Sequence, residues 1–308
     1  MKRFKKLLLA GVLLTGLVCY LRPMISKEDK VNLQIRNTEE QPIKISSELY
    51  SENYILIRQK DSKVMLKERE EEAIAPASLT KLMTVYTALQ HIDDLQKTVR
   101  IPASIFPQLE KEQASMAGFL PDEEVTYEDL IYGALLPSGA DACMTLAISL
   151  YGSDDAFVAE MNAQAEKLKL KQTRFQNCTG LDEAGHVSSV RDIAWILDEA
   201  LKLPKFAEAF HATNYVMAPS NMHPEGMTIY STMRMTMDQN ELSQDDILGG
   251  KTGYTKKAGL CLATQARIHE ETWLFVSAHA SGSATTKPYH ILDAINVYEA
   301  LARLYAKV

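Results

Sequence analysis

The sequence predicts an α+β fold in which helices flank one antiparallel sheet. Residues near both ends of the chain alternate between apolar and polar, as in β-hairpins, whereas the middle has the three- and four-residue apolar spacing of amphipathic helices. Strands from distant parts of the chain are therefore expected to meet in one sheet. The intervening segments 78–92 and 126–168 are expected to form a helical lobe beside it.

Two hairpins supply the predicted strands. Near the N-terminal end, NYILIRQ and KVMLKE flank the polar residues Lys60-Asp61-Ser62, which suit a tight turn. Near the C-terminal end, GLCLATQARI and TWLFVSAHA alternate in the same way around a polar turn at 269–272. Each pair is predicted to be antiparallel, because so short a connection reverses the chain direction.

The predicted helices follow from apolar periodicity and from residues that start or interrupt a helix. Thr126 to Asp129 form a capping signal, and Pro137-Ser138-Gly139 interrupts an otherwise helical pattern. The predicted helices cover 78–91, 130–136, 140–152, 154–168, 190–202 and 290–306.

Composition excludes some classes of protein. The chain has 308 residues, of which 46% are apolar and 24% charged, as in folded soluble proteins, and its formal net charge is −7. A nucleic-acid partner is not expected, because no basic patch follows the first few residues. Beyond the N-terminal segment, Cys143, Cys178 and Cys261 form no C-x-x-C pair. They predict buried thiols rather than a disulfide framework or a zinc knuckle.

The first 25 residues resemble a signal peptide or an N-terminal membrane anchor. MKRFKK is basic, and the 15 residues of 7–21 are apolar, fewer than the roughly 20 that span a bilayer. No small-x-small cleavage site follows, so cleavage and retention both stay open. Export is expected in either case, with a polar spacer at 26–46 and a folded domain at 47–308.

Ser78 and Lys81 stand three residues apart in APASLTKLMT, where a predicted helix starts. A serine there lies near unpaired N–H groups and the positive end of the helix dipole, which favour an oxyanion. A lysine at this spacing lies on the same face, and it can act as a base if burial or nearby cations lower its pKa. An N-capping serine and a solvated lysine would give the same letters, so the pair alone decides nothing.

Two later stretches contain residues suited to the same site. LLPSGADA places Ser138 at a break between helices, where a side chain can face a cleft, although a plain loop would look the same. GGKTGYT places Lys251, Thr252 and Gly253 where a strand starts. They offer a cation and a hydroxyl for a substrate carboxylate, and a glycine beside which another backbone can lie. Taken alone, this stretch could equally be a turn.

In this order, S-x-x-K, S-G-x and K-T-G resemble the motifs of penicillin-binding proteins and class A β-lactamases. The stretches between and around them are similar to those of serine D-alanyl-D-alanine carboxypeptidases of the low-molecular-mass penicillin-binding type. The resemblance covers about residues 45–305 and implies a β-lactamase/transpeptidase-like fold. The segments that carry it are ASMAGFLPDEEVTYEDLIYGALLPSGA at 114–140, FQNCTGLDEAGHVSSVRDIA at 175–194 and ILGGKTGYTKKAGLCLA at 247–263.

The resemblance implies an enzyme that removes the terminal D-Ala from peptidoglycan stem peptides. Ser78 would be the acylated nucleophile, Lys81 its proton acceptor, and Ser138 would pass a proton toward the leaving group. Lys251 and Thr252 would hold the terminal carboxylate of the substrate.

Gly253 and Tyr254 complete the implied site. The backbone N–H groups of Ser78 and Tyr254 would form the oxyanion hole, and Gly253 would leave room beside the strand. No metal or cofactor is implied. The implied partners are the peptidoglycan pentapeptide, β-lactams as covalent inhibitors and, through the N-terminal segment, the extracytoplasmic face of the membrane.

Two departures from the family pattern change what is expected. Ala140 stands where the second motif usually ends in Asn, so a carboxamide that would contact the substrate and the lysine is missing. Asp141 comes next, but a helix would direct its side chain elsewhere. In addition, no β-rich C-terminal domain, which many relatives have, is expected after the last helix.

Three other interpretations have partial support. A zinc D,D-peptidase would need three protein ligands; SAHASGSATT provides His279, but Thr286 replaces an Asp, and the only E-x-x-H, Glu183 to His186, lies upstream. A class A β-lactamase would need a carboxylate that activates the deacylating water. An inactive module that still binds peptidoglycan or penicillin is the third interpretation, because of Ala140.

Overall fold

The structure, a computed structural model, describes residues 43, 45, 48–283 and 285–306. The predicted signal or anchor segment at 1–25 and nearly all of the spacer at 26–46 lie outside the described residues. Within the described ranges, no helix combines the length and the apolar character needed to cross a bilayer.

A five-stranded antiparallel sheet organises the described part of the chain. Its strand order is β2-β1-β9-β8-β7, so the first two strands pair with three that come from the other end of the sequence. This confirms the predicted α+β class and the shared sheet. The strands are β1 Asn53–Arg58, β2 Lys63–Glu68, β7 Ile247–Thr255, β8 Gly259–Ile268 and β9 Glu271–Ala280.

Both predicted hairpins are present, one of them with a shorter turn. Between β1 and β2 the chain forms the 3₁₀ turn Gln59–Asp61. Between β8 and β9 the turn contains only His269 and Glu270, at φ of +47° and +64°, whereas the sequence predicts a turn through residue 272. Two left-handed turn residues match the right-handed twist of the strands. Glu271 therefore already pairs with Ile268.

Nine helices lie within the described residues outside this sheet. The capping box predicted at Thr126 is present, because its hydroxyl accepts from the N–H of Asp129 and the Asp129 carboxylate accepts from the Thr126 N–H. The described helices are α1 Thr80–Leu89, α2 Phe106–Lys111, α3 Tyr127–Leu135, α4 Ala140–Tyr151, α5 Asp154–Lys167, α6 Val190–Ala200, α7 Pro204–His211, α8 Thr232–Gln239 and α9 Tyr289–Tyr305.

The sequence interpretation missed the shortest elements. Helices α2, α7 and α8 have six to eight residues, too few for an apolar period to mark them. Two small two-stranded sheets were also not predicted. They consist of β3 Thr98–Arg100 with β4 Glu124–Thr126, and of β5 Asn214–Met217 with β6 Met227–Tyr230.

Apolar residues cover both faces of the large sheet. Along β9, Leu274 and Val276 belong to the core shared with the helical lobe. Trp273 and Phe275 belong to a second core, in which Phe275 packs edge-on against Tyr298 of α9. This alternation follows from the two-residue period of a strand. The sheet is therefore the middle layer between α9 and the lobe.

The three cysteines within the described residues behave as the sequence predicts. Cys143, Cys178 and Cys261 are buried and unpaired. They contribute packing volume to the core around the helical lobe.

Candidate active site

Ser78 lies in a 3₁₀ turn, Ala77–Leu79, so α1 starts two residues later than predicted. The preceding residue, Ala77, has a left-handed φ of +47°, a conformation that costs a non-glycine residue about 1 kcal/mol or more. The turn brings Oγ of Ser78 to 3.1 Å from Nζ of Lys81. The hydroxyl and the amine of the S-x-x-K motif are therefore in hydrogen-bond contact.

Lys81 is almost fully withdrawn from solvent, with 2% of its surface exposed. Burial lowers the pKa of Lys81, and the smaller effects of Cys143, Cys178 and Asp141 act in the opposite direction. Nζ also donates a hydrogen bond to the carbonyl oxygen of Thr179. A neutral amine in contact with a serine hydroxyl can accept the proton of that hydroxyl.

Strand β7 passes close to the turn that contains Ser78. A Cβ atom on Gly253 would lie 3.1 Å from the backbone nitrogen of Ser78 and 3.4 Å from that of Leu79. Only a residue without a side chain lets the strand come this close. The next residue, Tyr254, is partly exposed, and its side chain lines the cavity in front of the turn.

Ser138 lies at the predicted break between α3 and α4. Its φ is +69°, it is only 6% exposed, and its Oγ has no hydrogen-bond partner among the described residues. Ser138 lines the same cavity as Ser78. An unpaired buried hydroxyl is uncommon in folded proteins, so Ser138 keeps hydrogen-bonding capacity at the edge of this cavity.

The start of α4 has a structural role that the sequence interpretation did not assign. Ala140 is buried and contributes its backbone N–H, which donates to the carbonyl of Ser115 at 2.7 Å. The carboxylate of Asp141, to which the sequence assigned no role, accepts hydrogen bonds from the backbone N–H groups of residues 117–119. Asp141 therefore fixes the loop that carries Ser115 to the cavity. The sequence did contain a signal for this role, because Asp141 is an acidic residue in the first turn of an otherwise apolar helix.

Lys251 lies behind the cavity wall rather than on it. Only 1% of its surface is exposed, and it is not among the described residues that line the cavity. Its Nζ donates to the carbonyl of Thr252 at 3.0 Å. Burial lowers the pKa of Lys251 well below that of free lysine, and positive charge on Lys81 lowers it further. Of the two residues predicted to hold the substrate carboxylate, Lys251 and Thr252, only Thr252 lines the cavity.

A segment without helix or strand, residues 175–189, also contacts the turn that contains Ser78. The N–H of Gln176 donates to Nδ1 of His186 at 3.0 Å, so Nε2 carries the ring proton and donates to the hydroxyl of Thr80 at 2.8 Å. Burial lowers the pKa of His186 to about 4. The neutral imidazole thus connects this segment to the first residue of α1, a role that no motif indicated.

Ser78 faces a cavity of about 360 Å³. None of the described lining side chains is Lys, Arg, Asp or Glu, and hydroxyl groups predominate, among them those of Ser78, Ser115, Ser138, Thr232, Thr252 and Thr286. A second cavity, of about 840 Å³, shares Gln113 and Tyr254 with the first. Its wall carries the carboxylates of Glu112, Asp154, Asp155, Asp182 and Glu183.

The side chains considered for zinc are engaged in other contacts. His279, in β9, pairs through Nδ1 with the side chain of Asn53 at 2.9 Å, and Glu183 accepts from the amide of Asn177 at 3.0 Å. Across the described ranges, no three His, Cys, Asp or Glu side chains come together as a metal site would require.

Known proteins resemble this chain in sequence. A model of the D-alanyl-D-alanine carboxypeptidase family matches residues 36–281. The carboxypeptidase DacF of Bacillus subtilis is 34% identical over 233 residues, which covers 73% of this chain and 56% of DacF. The carboxypeptidase DacA of Escherichia coli is 34% identical over 226 residues, which covers 70% of this chain and 53% of DacA. The chain thus spans about half the length of these curated relatives.

A solved structure has the same fold. The crystal structure of the Streptomyces K15 DD-transpeptidase superposes with a TM-score of 0.74 at 21% identity, covering 82% of this chain and 97% of that protein. At this identity the likeness concerns the fold alone.

Proposed function

Because this chain belongs to the D-alanyl-D-alanine carboxypeptidase family, we propose that it is a serine D,D-carboxypeptidase. It removes the terminal D-Ala from peptidoglycan stem peptides through an acyl-enzyme on Ser78. The observation that carries the proposal is the 3.1 Å contact between Oγ of Ser78 and Nζ of Lys81. It joins a nucleophile to an amine whose pKa burial lowers.

Acylation begins with transfer of a proton from the Ser78 hydroxyl to the neutral amine of Lys81. Oγ attacks the carbonyl carbon of the penultimate D-Ala, and negative charge develops on the carbonyl oxygen. The backbone N–H groups of Ser78 and Tyr254 are the proposed oxyanion donors; in other acyl transferases one such donor contributes about 10²–10³ in rate. The closeness of Gly253 to the turn supports this, because it brings β7 beside the backbone of Ser78.

The leaving group needs a proton before the C–N bond breaks. Ser138 is the proposed relay, since its buried Oγ is unpaired and lines the same cavity as Ser78. The terminal D-Ala leaves as a free amine, and Ser78 remains esterified. Water then hydrolyses the ester, and the proton returns to Ser78.

The carboxylate end of the substrate is proposed to lie at Thr252, with Lys251 behind it. Thr252 lines the cavity, whereas Lys251 is a buried residue one position earlier in β7. A substrate carboxylate favours the charged form of Lys251. In that form the amine attracts the carboxylate through its field and opposes protonation of Lys81.

The proposed partners and location follow from this activity. The substrate is a peptidoglycan pentapeptide ending in D-Ala-D-Ala, and β-lactams acylate Ser78 as covalent inhibitors. Residues 1–25 are proposed to export the chain and either anchor it to the extracytoplasmic face of the membrane or be removed. Residues 47–308 are proposed to form the catalytic domain, without metal or other cofactor.

The first prediction concerns the nucleophile. After incubation with a labelled penicillin, intact-mass analysis should find one adduct per wild-type chain, and peptide mapping should place it on Ser78. Ser78→Ala should abolish both the adduct and release of D-Ala from a pentapeptide, because Lys81 then lacks the hydroxyl that it contacts. An adduct on Ser138 would contradict the assignment.

Two controls separate this function from its rivals. Chelation with EDTA should leave D-Ala release unchanged in a chain that starts near Ser26, and inhibition would favour the zinc interpretation. Labelling of wild-type protein without D-Ala release would instead indicate a binding module. Ala140→Asn would then be the first variant to test for restored D-Ala release.

A further inference from the structure

We infer that His290, which belongs to none of the motifs, contacts the C-terminal carboxylate of the substrate and determines the preference for a free carboxylate. The inference rests on the proposed carboxypeptidase function and adds to it the residue that recognises the end of the substrate. His290 is a specificity residue, since it would touch the substrate away from the reacting bond.

The position of His290 supports this role. It lies in the first turn of α9 and lines the 360 Å³ cavity together with Thr252 and Thr286. Only 5% of the residue is exposed. Ser78, Thr252 and His290 therefore border one space, although they come from three distant parts of the sequence.

The hydrogen bonding of His290 is incomplete. Its Nδ1 is buried and has no partner among the described residues. A buried polar atom left unpaired destabilises the fold, and such atoms are uncommon in folded proteins outside functional sites. His186, by contrast, has partners at both ring nitrogens. The imidazole of His290 therefore keeps hydrogen-bonding capacity that no described residue uses.

The polarity of the cavity wall points to the same residue. Among the described lining residues, His290 is the only one with a basic side chain, because Lys251 does not line the cavity. Burial lowers the pKa of His290 to about 4, so the imidazole of the empty site is neutral and keeps one N–H. That N–H can donate a charge-assisted hydrogen bond to a carboxylate, a stronger bond than it could make to an amide.

The test compares two acylated peptides that end in D-Ala-D-Ala, one as the free acid and one as the C-terminal amide, with the full chain. His290→Leu should lower kcat/KM for the acid about tenfold to hundredfold, the size of one hydrogen bond to a charged group. The amide should change little, and the loss for the acid should appear mainly in KM if the contact is the same in ground and transition states.

Two conservative variants replace only the donor. His290→Asn places an amide N–H near the position of Nδ1, and His290→Gln places one near Nε2. At least one of them should restore the acid-to-amide ratio toward that of the wild type. Failure of both, with a lowered ratio in His290→Leu, would assign His290 a packing role and overturn the inference.

A matched control excludes a general loss of stability. His211→Leu removes another histidine, on α7, whose Nε2 pairs with Gln265 and which lines neither cavity described above. This variant should keep the wild-type acid-to-amide ratio whatever its melting temperature. A change equal to that of His290→Leu would contradict the inference.

Penicillin and its methyl ester provide a second measurement, because only the acid carries a carboxylate. The ratio of their acylation rates, followed by intact mass, should fall in His290→Leu in parallel with the peptide ratio. If wild-type protein forms no adduct and releases no D-Ala, the proposed function and this inference both fall. If the wild type is active and its ratios survive in His290→Leu, the inference alone is wrong.

Discussion

At the residue scale, the main feature is a pair of lysines buried without a carboxylate in hydrogen-bond contact among the described residues. Nζ of Lys81 donates to a backbone carbonyl and contacts Ser78, and Nζ of Lys251 donates to the carbonyl of Thr252. Buried ammonium groups are normally paired with a counter-ion. Here neutral carbonyl oxygens are the acceptors, so burial lowers the pKa of both amines. A lysine can act as a base only when its amine is neutral, and burial favours the neutral form.

A prediction at this scale concerns Lys251. Lys251→Ala should lower kcat/KM for an acid substrate ending in D-Ala-D-Ala more than for its amide, by about 2–5 kcal/mol if the carboxylate is desolvated. Both substrates should lose some rate, because protonation of either buried lysine opposes protonation of the other, so removal of Lys251 makes Lys81 easier to protonate. The ratio of kcat/KM for the two substrates is the quantity to measure.

Lys257→Ala is the matched control for that prediction. Lys257 is exposed in the turn after β7, and its removal changes the net charge by the same amount. If Lys251→Ala slows the acid and the amide substrate by the same factor, Lys251 affects only the protonation of Lys81 and does not recognise the substrate carboxylate.

At the scale of elements, the turn that contains Ser78 is fixed by its neighbours more than by its own helix. Gly253 of β7 and the loop at Gly180 both lie close to this turn. A Cβ on Gly180 would lie 1.9 Å from the carbonyl oxygen of Ala77, and the φ of Gly180 is +85°. The strained conformation of Ala77 persists because close packing over-determines it.

We therefore expect Gly180→Ala to displace the turn. It should destabilise the domain by at least about 2 kcal/mol and slow penicillin acylation about 100-fold, as a shift of about 1 Å at a catalytic group can. Urea unfolding and the time course of adduct formation are the measurements.

Gly152→Ala separates backbone strain from the steric clash. Gly152, after α4, has nearly the same φ, +82°, but nothing lies within 4 Å of an added Cβ. This variant should lose only about 1 kcal/mol and keep its acylation rate. Equal acylation rates in the two variants would show that the Gly180 contact does not position Ser78.

At the scale of the whole molecule, the site lies where the edge strand β7 meets the helical lobe. Ser78 comes from the turn before α1, Ser138 from the loop between α3 and α4, and Thr252 from β7. Residues 175–189 connect this junction to the rest of the fold through backbone pairing of Ile74 with Ser188. Stability of the fold and geometry of the site are therefore coupled through the same contacts.

That coupling predicts how stability depends on pH. The pKa of buried His186 is about 4 in the folded protein, against 6.5 for a free histidine, so the unfolded chain binds more protons between these values. The stabilisation is complete above pH 6.5 and is lost as pH falls toward 4, by about 2 kcal/mol between pH 7.5 and 5.0. In His186→Gln, the difference in unfolding free energy between these two pH values should shrink by that amount.

The comparison has to be made between variant and wild type. Buried carboxyl groups such as Asp141 and Asp154 have raised pKa values, and their effect on stability has the opposite sign. Urea unfolding of both proteins at pH 7.5 and 5.0 provides the measurement. If the difference in unfolding free energy between the two pH values is the same in His186→Gln as in the wild type, protonation of His186 does not destabilise the fold at low pH.

The sequence by itself determined the fold class and the local geometry around Ser78. Apolar periods of two and of three to four residues marked the main strands and the longer helices, because these signals depend only on neighbours along the chain. The spacing of Ser78 and Lys81 likewise predicted a contact across one helical turn. However, no local sequence pattern predicted the 3₁₀ turn at Ser78 or the left-handed conformation of Ala77.

Tertiary structure decided which distant residues share the site. No motif indicated the hydrogen bonds of Asp141 and His186 or the position of His290 at the cavity, and these appear only where helix starts and loops converge. Tertiary structure also placed Lys251 behind the wall and Thr252 on it. The physical reason is that burial and close approach depend on long-range packing. The alternation of a strand assigns side chains to two faces, and only the neighbouring elements determine which face borders a cavity.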